Sequence, residues 1–167
     1  MQTPSYAENR LESLKGCLVE SFLAVFGRGL VSLVLFGSYA RGDYTRESDI
    51  DLLVVLEEFE DRLEVHRLLD RVEELSKPCL EGLRSLGYLA TLSPVVLSRS
   101  QASVARPLYL DLVFDYEVLY DREGFITSVL EKLRAKLDEC GAERRFIGRR
   151  WVVVLKRDFK FGEVVEL

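Results

Sequence analysis

Residues 31–55, VSLVLFGSYARGDYTRESDIDLLVV, comprise an apolar run, a small-residue turn, a polar connection and a second apolar run that opens with two aspartates. Val31 to Phe36 is almost wholly apolar, which fits a strand buried on both faces better than an amphipathic helix. It stops at Gly37-Ser38. Glycine lets the backbone approach another group closely, serine offers a hydroxyl, and a helical turn opening at Tyr39-Ala40-Arg41 would aim free N–H groups at an anion. Ser48-Asp49-Ile50-Asp51 then leads into Leu52-Leu53-Val54-Val55, again strand-like. Side chains alternate along a strand, so Asp49 and Asp51 share one face and Ile50 and Leu52 the other. Two ionised carboxylates side by side repel, and the pair is tolerated when a divalent cation lies between them or one takes up a proton. Mg²⁺ suits such a pair, because it is held by one or two carboxylates with phosphates and waters completing the octahedron.

The composite G-S-x-A-R-G, then S-D-I-D-L-L-V, is carried by Gly37, Ser38, Ala40, Arg41, Gly42, Ser48, Asp49 and Asp51. It resembles the nucleotidyltransferase superfamily with the DNA polymerase β-like catalytic fold, and within it the minimal nucleotidyltransferases of archaea and bacteria. The resemblance covers residues 5 to 115 well and the remainder in outline. It implies transfer of a nucleoside monophosphate from a nucleoside triphosphate such as ATP to an unidentified acceptor, with release of pyrophosphate. Asp49 and Asp51 would be the catalytic, metal-holding pair for Mg²⁺ or Mn²⁺, and Gly37, Ser38 and Arg41 would bind the nucleotide, in two-metal phosphoryl chemistry. In this superfamily a third carboxylate often follows on a later strand, where this chain has Thr91, Ser93 and Pro94. Asp111 and Asp115 are the nearest acids, and they read better as polar positions on an apolar helix. That departure keeps a second reading open, a catalytically weak nucleotide-binding module. The superfamily also includes antitoxins of toxin–antitoxin pairs, so a helical toxin or an acceptor-binding subunit is a possible partner.

At 167 residues the chain has the length of one domain, and 48% hydrophobic with 31% charged residues describes a soluble globular protein. The expected fold is α/β or α+β: a small mixed sheet covered by helices on one side, with a core over about 5–115 and a helix-and-hairpin extension over about 116–167. No apolar run is long enough to cross a bilayer, and MQTPSYAENR lacks the pattern of a secretory signal, so the cytoplasm is the expected compartment. Cys17, Cys79 and Cys140 are odd in number and far apart, which argues against disulfides and structural zinc. The net charge of −5 argues against a protein that coats nucleic acid. Asp43 to Glu81 holds thirteen acidic and five basic residues, whereas Arg144, Arg145, Arg149, Arg150, Lys156, Arg157 and Lys160 face only Asp158 near the other end. That basic stretch would hold a polyphosphate or a nucleic-acid end, or form a solvated hairpin.

Outward from the central stretch, Ser5 to Glu8 has the form of a capping box for a helix running to about Phe26, with Leu11, Leu14, Leu18 and Phe22 on its apolar side. After Val55, acids at Glu57 to Asp61 open a second helix with Leu63, His66, Leu69, Val72 and Leu75 on its periodic side. Pro78 is expected to end it, with a short helix following at Leu80 to Leu86. Tyr88 to Ser98 reads as a strand that Pro94 confines to an edge or a bulge. A helix from Gly124 to Cys140 and a hairpin over Ala142 to Lys156 complete the chain.

Overall fold

The computed structural model describes residues 6–148 and 150–156, so Ser5 of the expected capping box and the basic residues beyond Lys156 lie outside it. Helix α1 (Tyr6–Phe26) passes through a 3-10 turn at Gly27–Gly29 into β1 (Leu30–Phe36). The one-turn helix α2 (Gly37–Arg41) links β1 to β2 (Ile50–Leu56). Then follow α3 (Arg62–Arg84), β3 (Leu92–Ser98), α4 (Arg99–Ala102), α5 (Pro107–Leu112), β4 (Tyr116–Asp121), α6 (Phe125–Glu139), β5 (Glu143–Ile147) and β6 (Arg150–Val154).

The four-stranded sheet runs β3-β2-β1-β4, with β1 antiparallel to both β2 and β4 and β2 parallel to β3. The central strands are the two apolar runs of the quoted stretch, and they are apolar on both faces because both faces are covered. Leu33, Leu35, Ile50, Leu52 and Val54 pack against α1 and α3 on one face. Val31, Val34, Leu53 and Val55 pack against α5 and α6 on the other. Covering both faces corrects the expectation of helices on one side. Each fully buried Leu, Ile or Val contributes about 1.5–3 kcal/mol, so neither layer can be dispensed with. The first strand carries a bulge between Leu30 and Ser32, which turns Ser32 to donate to Asp121 at 2.7 Å. Asp121 also accepts from the Ile126 and Thr127 amides at 3.0 Å, which fixes the start of α6 to the sheet.

Four further expectations need correction. Tyr116–Asp121, in the stretch expected to begin a helix-and-hairpin extension, forms a strand paired with β1. Pro78 lies inside α3, which continues to Arg84. The buried side of α3 is Val65, Val72, Ser76, Leu80 and Leu83, while Leu63 and Leu75 are exposed. Cys17 and Cys79 form a disulfide between α1 and α3, and Cys140 is free. The bridge depends on two packed helices, which no local spacing records. Pro94 does lie on an edge strand, where its missing N–H costs no ladder bond to a further strand. Among the described residues no helix is long and apolar enough to cross a membrane.

Candidate active site

The sheet ends at Phe36, whose extended backbone hands over to Gly37 at φ +70°. Two constraints demand glycine there. The left-handed backbone disfavours any side chain, and a Cβ at this position would overlap Asp51 Oδ2 and lie 3.0 Å from its Cγ. The single turn of α2 follows, and its first amides have no intrahelical partner. Gly42, at φ +79°, ends it, with the Gly42 and Asp43 amides donating to the Ser38 carbonyl at 2.9 and 3.1 Å.

Beyond Gly42 the chain closes on itself before entering β2. The Thr45 amide donates to Ser48 Oγ at 2.9 Å, and the Ser48 amide to the Thr45 carbonyl at 3.2 Å. Tyr39 is buried beneath this connection, with its ring stacked on Tyr44 at 4.3 Å between centroids, and Tyr88 lies against Tyr44 at 5.8 Å. Burial, then the neighbouring tyrosines and Asp49, push the Tyr39 phenol up to about 12, so it stays protonated at neutral pH. The tyrosine stack holds α2 and the connection against the body, and sequence reasoning did not single it out.

Asp51 is the pivot. It lies at the start of β2, opposite Phe36 on β1 and opposite Ser93 on the parallel strand β3. Burial holds its carboxyl above the ordinary carboxylate range. The Ser93 hydroxyl bonded to it works against that shift, the charge of Asp49 adds to it, and Arg41 opposes it. Gly37, Arg41, Asp49 and Asp51 are thus brought to one end of the sheet, and Ser38 sits beside them as the second residue of α2. Arg41 is exposed and bonds Asp43 through its Nε at 3.2 Å. Ser93 occupies the strand position where a third carboxylate was sought. Asp115 pairs instead with Arg144, and Asp111 is exposed on α5. Among the described residues no cluster of three or more Asp, Glu, His or Cys side chains forms. The exposed Asp49 and the half-buried Asp51, whose charges repel, nevertheless offer two hard oxygen donors that fit a small divalent cation whose remaining ligands come from phosphates and water.

The nucleotidyltransferase domain family profile matches residues 17–166. A Methanocaldococcus jannaschii protein assigned provisionally as a protein adenylyltransferase is 33% identical over 111 residues, which span 65% of this chain and 71% of that one. Among solved structures, a spectinomycin adenyltransferase from Enterococcus faecialis with ATP and spectinomycin aligns at TM-score 0.52 and 11% identity, over 78% of this chain and 66% of that one. That likeness is one of fold. A chain from the complex of tri-AMPylated Shewanella oneidensis HEPN toxin with MNT antitoxin aligns at TM-score 0.45 and 16% identity, over 78% of this chain and 92% of that one.

Proposed function

Since the chain belongs to the nucleotidyltransferase domain family, we propose that it transfers the adenylyl group of ATP to a hydroxyl of a polypeptide, releasing pyrophosphate. Nucleotidyl transfer is the family's chemistry. The choice of ATP and of a polypeptide follows the provisional assignment of the relative that shares 33% of its residues over the aligned region. The observation that carries the reading is the meeting of Asp49 and Asp51 with the Gly37-Ser38 turn at one end of the sheet. Asp49 and Asp51 would hold Mg²⁺ or Mn²⁺, which when bound neutralises phosphate charge and polarises the phosphoryl oxygens.

The remaining roles fall to the chain's own groups. The open amides of α2 and the Ser38 hydroxyl bind the β and γ phosphates, and Arg41 adds positive charge beside them. Ser93 holds Asp51 in place through its hydroxyl. A bond forms from the acceptor oxygen to the α-phosphorus as the bond to pyrophosphate breaks, and the hydroxyl proton passes to water. Among the described residues no third His, Cys, Asp or Glu joins the pair in a metal-holding cluster, and transfer without a positioned general base is slower than with one.

The test is incubation of the full chain with Mg²⁺ or Mn²⁺, a host-cell extract and ATP, GTP, CTP or UTP labelled at the α-phosphate. Label from ATP is expected on polypeptide, with pyrophosphate released in parallel, and both are expected to vanish in the Asp49→Asn, Asp51→Asn double variant. Label confined to RNA, or undiminished in that variant, overturns the proposal.

A further inference from the structure

At the nucleotide end of the sheet the four strands contribute one row of side chains. Asp51 on β2 is registered against Ser93 on β3 and Phe36 on β1, and Phe36 in turn against Tyr116 on β4. Registered neighbours present their side chains to the same face. Phe36 and Tyr116 pack toward the α5 and α6 layer, and Asp51 shares that face by alternation with Leu53 and Val55. The row therefore runs Ser93, Asp51, Phe36, Tyr116 from one edge of the sheet to the other, oxygen donors in one half and rings in the other.

Asp51 is turned toward the ring half. Its Oδ2 fills the space that a Cβ on Gly37 would need, so the carboxylate lies against the backbone where β1 becomes α2. A triphosphate on the open amides of α2 thus ends one strand away from Tyr116. Tyr116 itself stands two strand spacings, about 10 Å, from Asp51, within reach of the nucleoside of a nucleotide whose α-phosphate is held beside Asp51. On the opposite side β3 carries Leu92, Ser93 and Pro94, and no ring.

Other aromatic residues near this end are already engaged. Tyr39, Tyr44 and Tyr88 contact one another in the layer on the far face of the sheet. Phe114 lies under Arg134 and Arg144 at 4.7 and 5.5 Å, and Trp151 under Arg144 at 4.1 Å. Phe36 and Tyr116 are half-buried, and among the described residues neither is stacked on another ring or lies beneath a guanidinium.

We propose that Tyr116 is the nucleobase platform of the site, with the ribose of the bound triphosphate over Phe36 and the base stacked on the Tyr116 ring. The proposal rests on the adenylyl-transfer reading above and names the residue that holds the nucleoside half of ATP. Stacking accepts every base by its π-face, and a purine offers the larger one. Tyr116 therefore favours purine over pyrimidine triphosphates and leaves the choice between adenine and guanine to other groups. The ring does this, not the hydroxyl.

Titrations of the full chain in Mn²⁺ with non-hydrolysable analogues of ATP and UTP, and with tripolyphosphate, read the two halves of the ligand separately. Wild type is expected to bind the ATP analogue more tightly than the UTP analogue or tripolyphosphate. Tyr116→Ala is expected to lose about tenfold or more of the ATP-analogue affinity, less for the UTP analogue, and none for tripolyphosphate, whose binding also reports that the variant is folded. Tyr116→Phe keeps the ring and should match wild type. Independently of any variant, a photoreactive ATP with an azide on its base should label wild type on a peptide that contains Phe36 or Tyr116. Equal ATP-analogue binding by wild type and Tyr116→Ala, a loss shared equally by tripolyphosphate, a Tyr116→Phe variant as weak as Tyr116→Ala, or label confined to other peptides overturns the platform and leaves the transfer reading standing. A wild type that binds neither nucleotide nor tripolyphosphate overturns both.

Discussion

At Asp51 a single carboxyl couples the site to the stability of the fold. Its folded pKa is raised, chiefly by burial, above the unfolded value of about 3.9. Between those two values the native state still holds a proton that the unfolded state has released. Stability therefore falls as pH rises through that window, and the loss is complete above the folded value. Asp51→Asn cannot ionise and escapes the loss. With chelator present, the variant is expected to unfold at a higher temperature than wild type at neutral pH, and the two should converge in acid. Thermal unfolding from about pH 3 to pH 8 checks this, and a variant less stable at neutral pH would show that ionised Asp51 is held by compensating contacts. The nearness of Asp49 to Asp51 was readable in the sequence because a spacing of two residues is a local property, although Asp49 precedes β2 and does not alternate along it. The Ser93 bond to Asp51 was not, since it depends on the register of a parallel pair whose strands are separated by all of α3.

Helix α3 shows where local signals fail at the level of an element. Proline inside a helix removes one backbone bond and crowds the preceding turn, so ending the helix at Pro78 was the reasonable expectation. The helix continues because Val72, Ser76, Leu80 and Leu83 are buried on one stripe, and that packing outweighs the local cost. Pro78 is exposed, so removing its ring costs no core contact. Pro78→Ala is expected to stabilise the protein by about 1–3 kcal/mol, within the helix-interior proline penalty. Denaturant unfolding measures it, and a neutral or destabilising result would mean the chain exploits the local bend. The same weakness of local signals explains the shifted apolar side of α3. Leu63 and Leu75 satisfy a helical period as well as Val65 and Val72 do, and only the position of α1 decides between them.

Across the whole molecule, the two central strands announced themselves through apolar runs buried on both faces, and so did the mixed α/β class. The second helical layer did not, since α6 read equally well as part of an extension until β4 joins the sheet between it and α5. The cysteine bridge was hidden for a related reason. It joins positions 62 residues apart, and its ends meet only after α1 and α3 have packed. The bridge makes the quoted stretch part of a covalent circle that contains β1, α2 and β2. A backbone broken within that circle is still one molecule. If a site-specific protease sequence is inserted between the exposed Glu60 and Asp61 and then cut, the product should run as a single species on a denaturing gel without reductant and as two with it. Two species without reductant would mean the bond is absent in the isolated protein. With the bond present, the severed chain should unfold at a temperature independent of protein concentration, since its halves stay tethered and never have to find each other by diffusion.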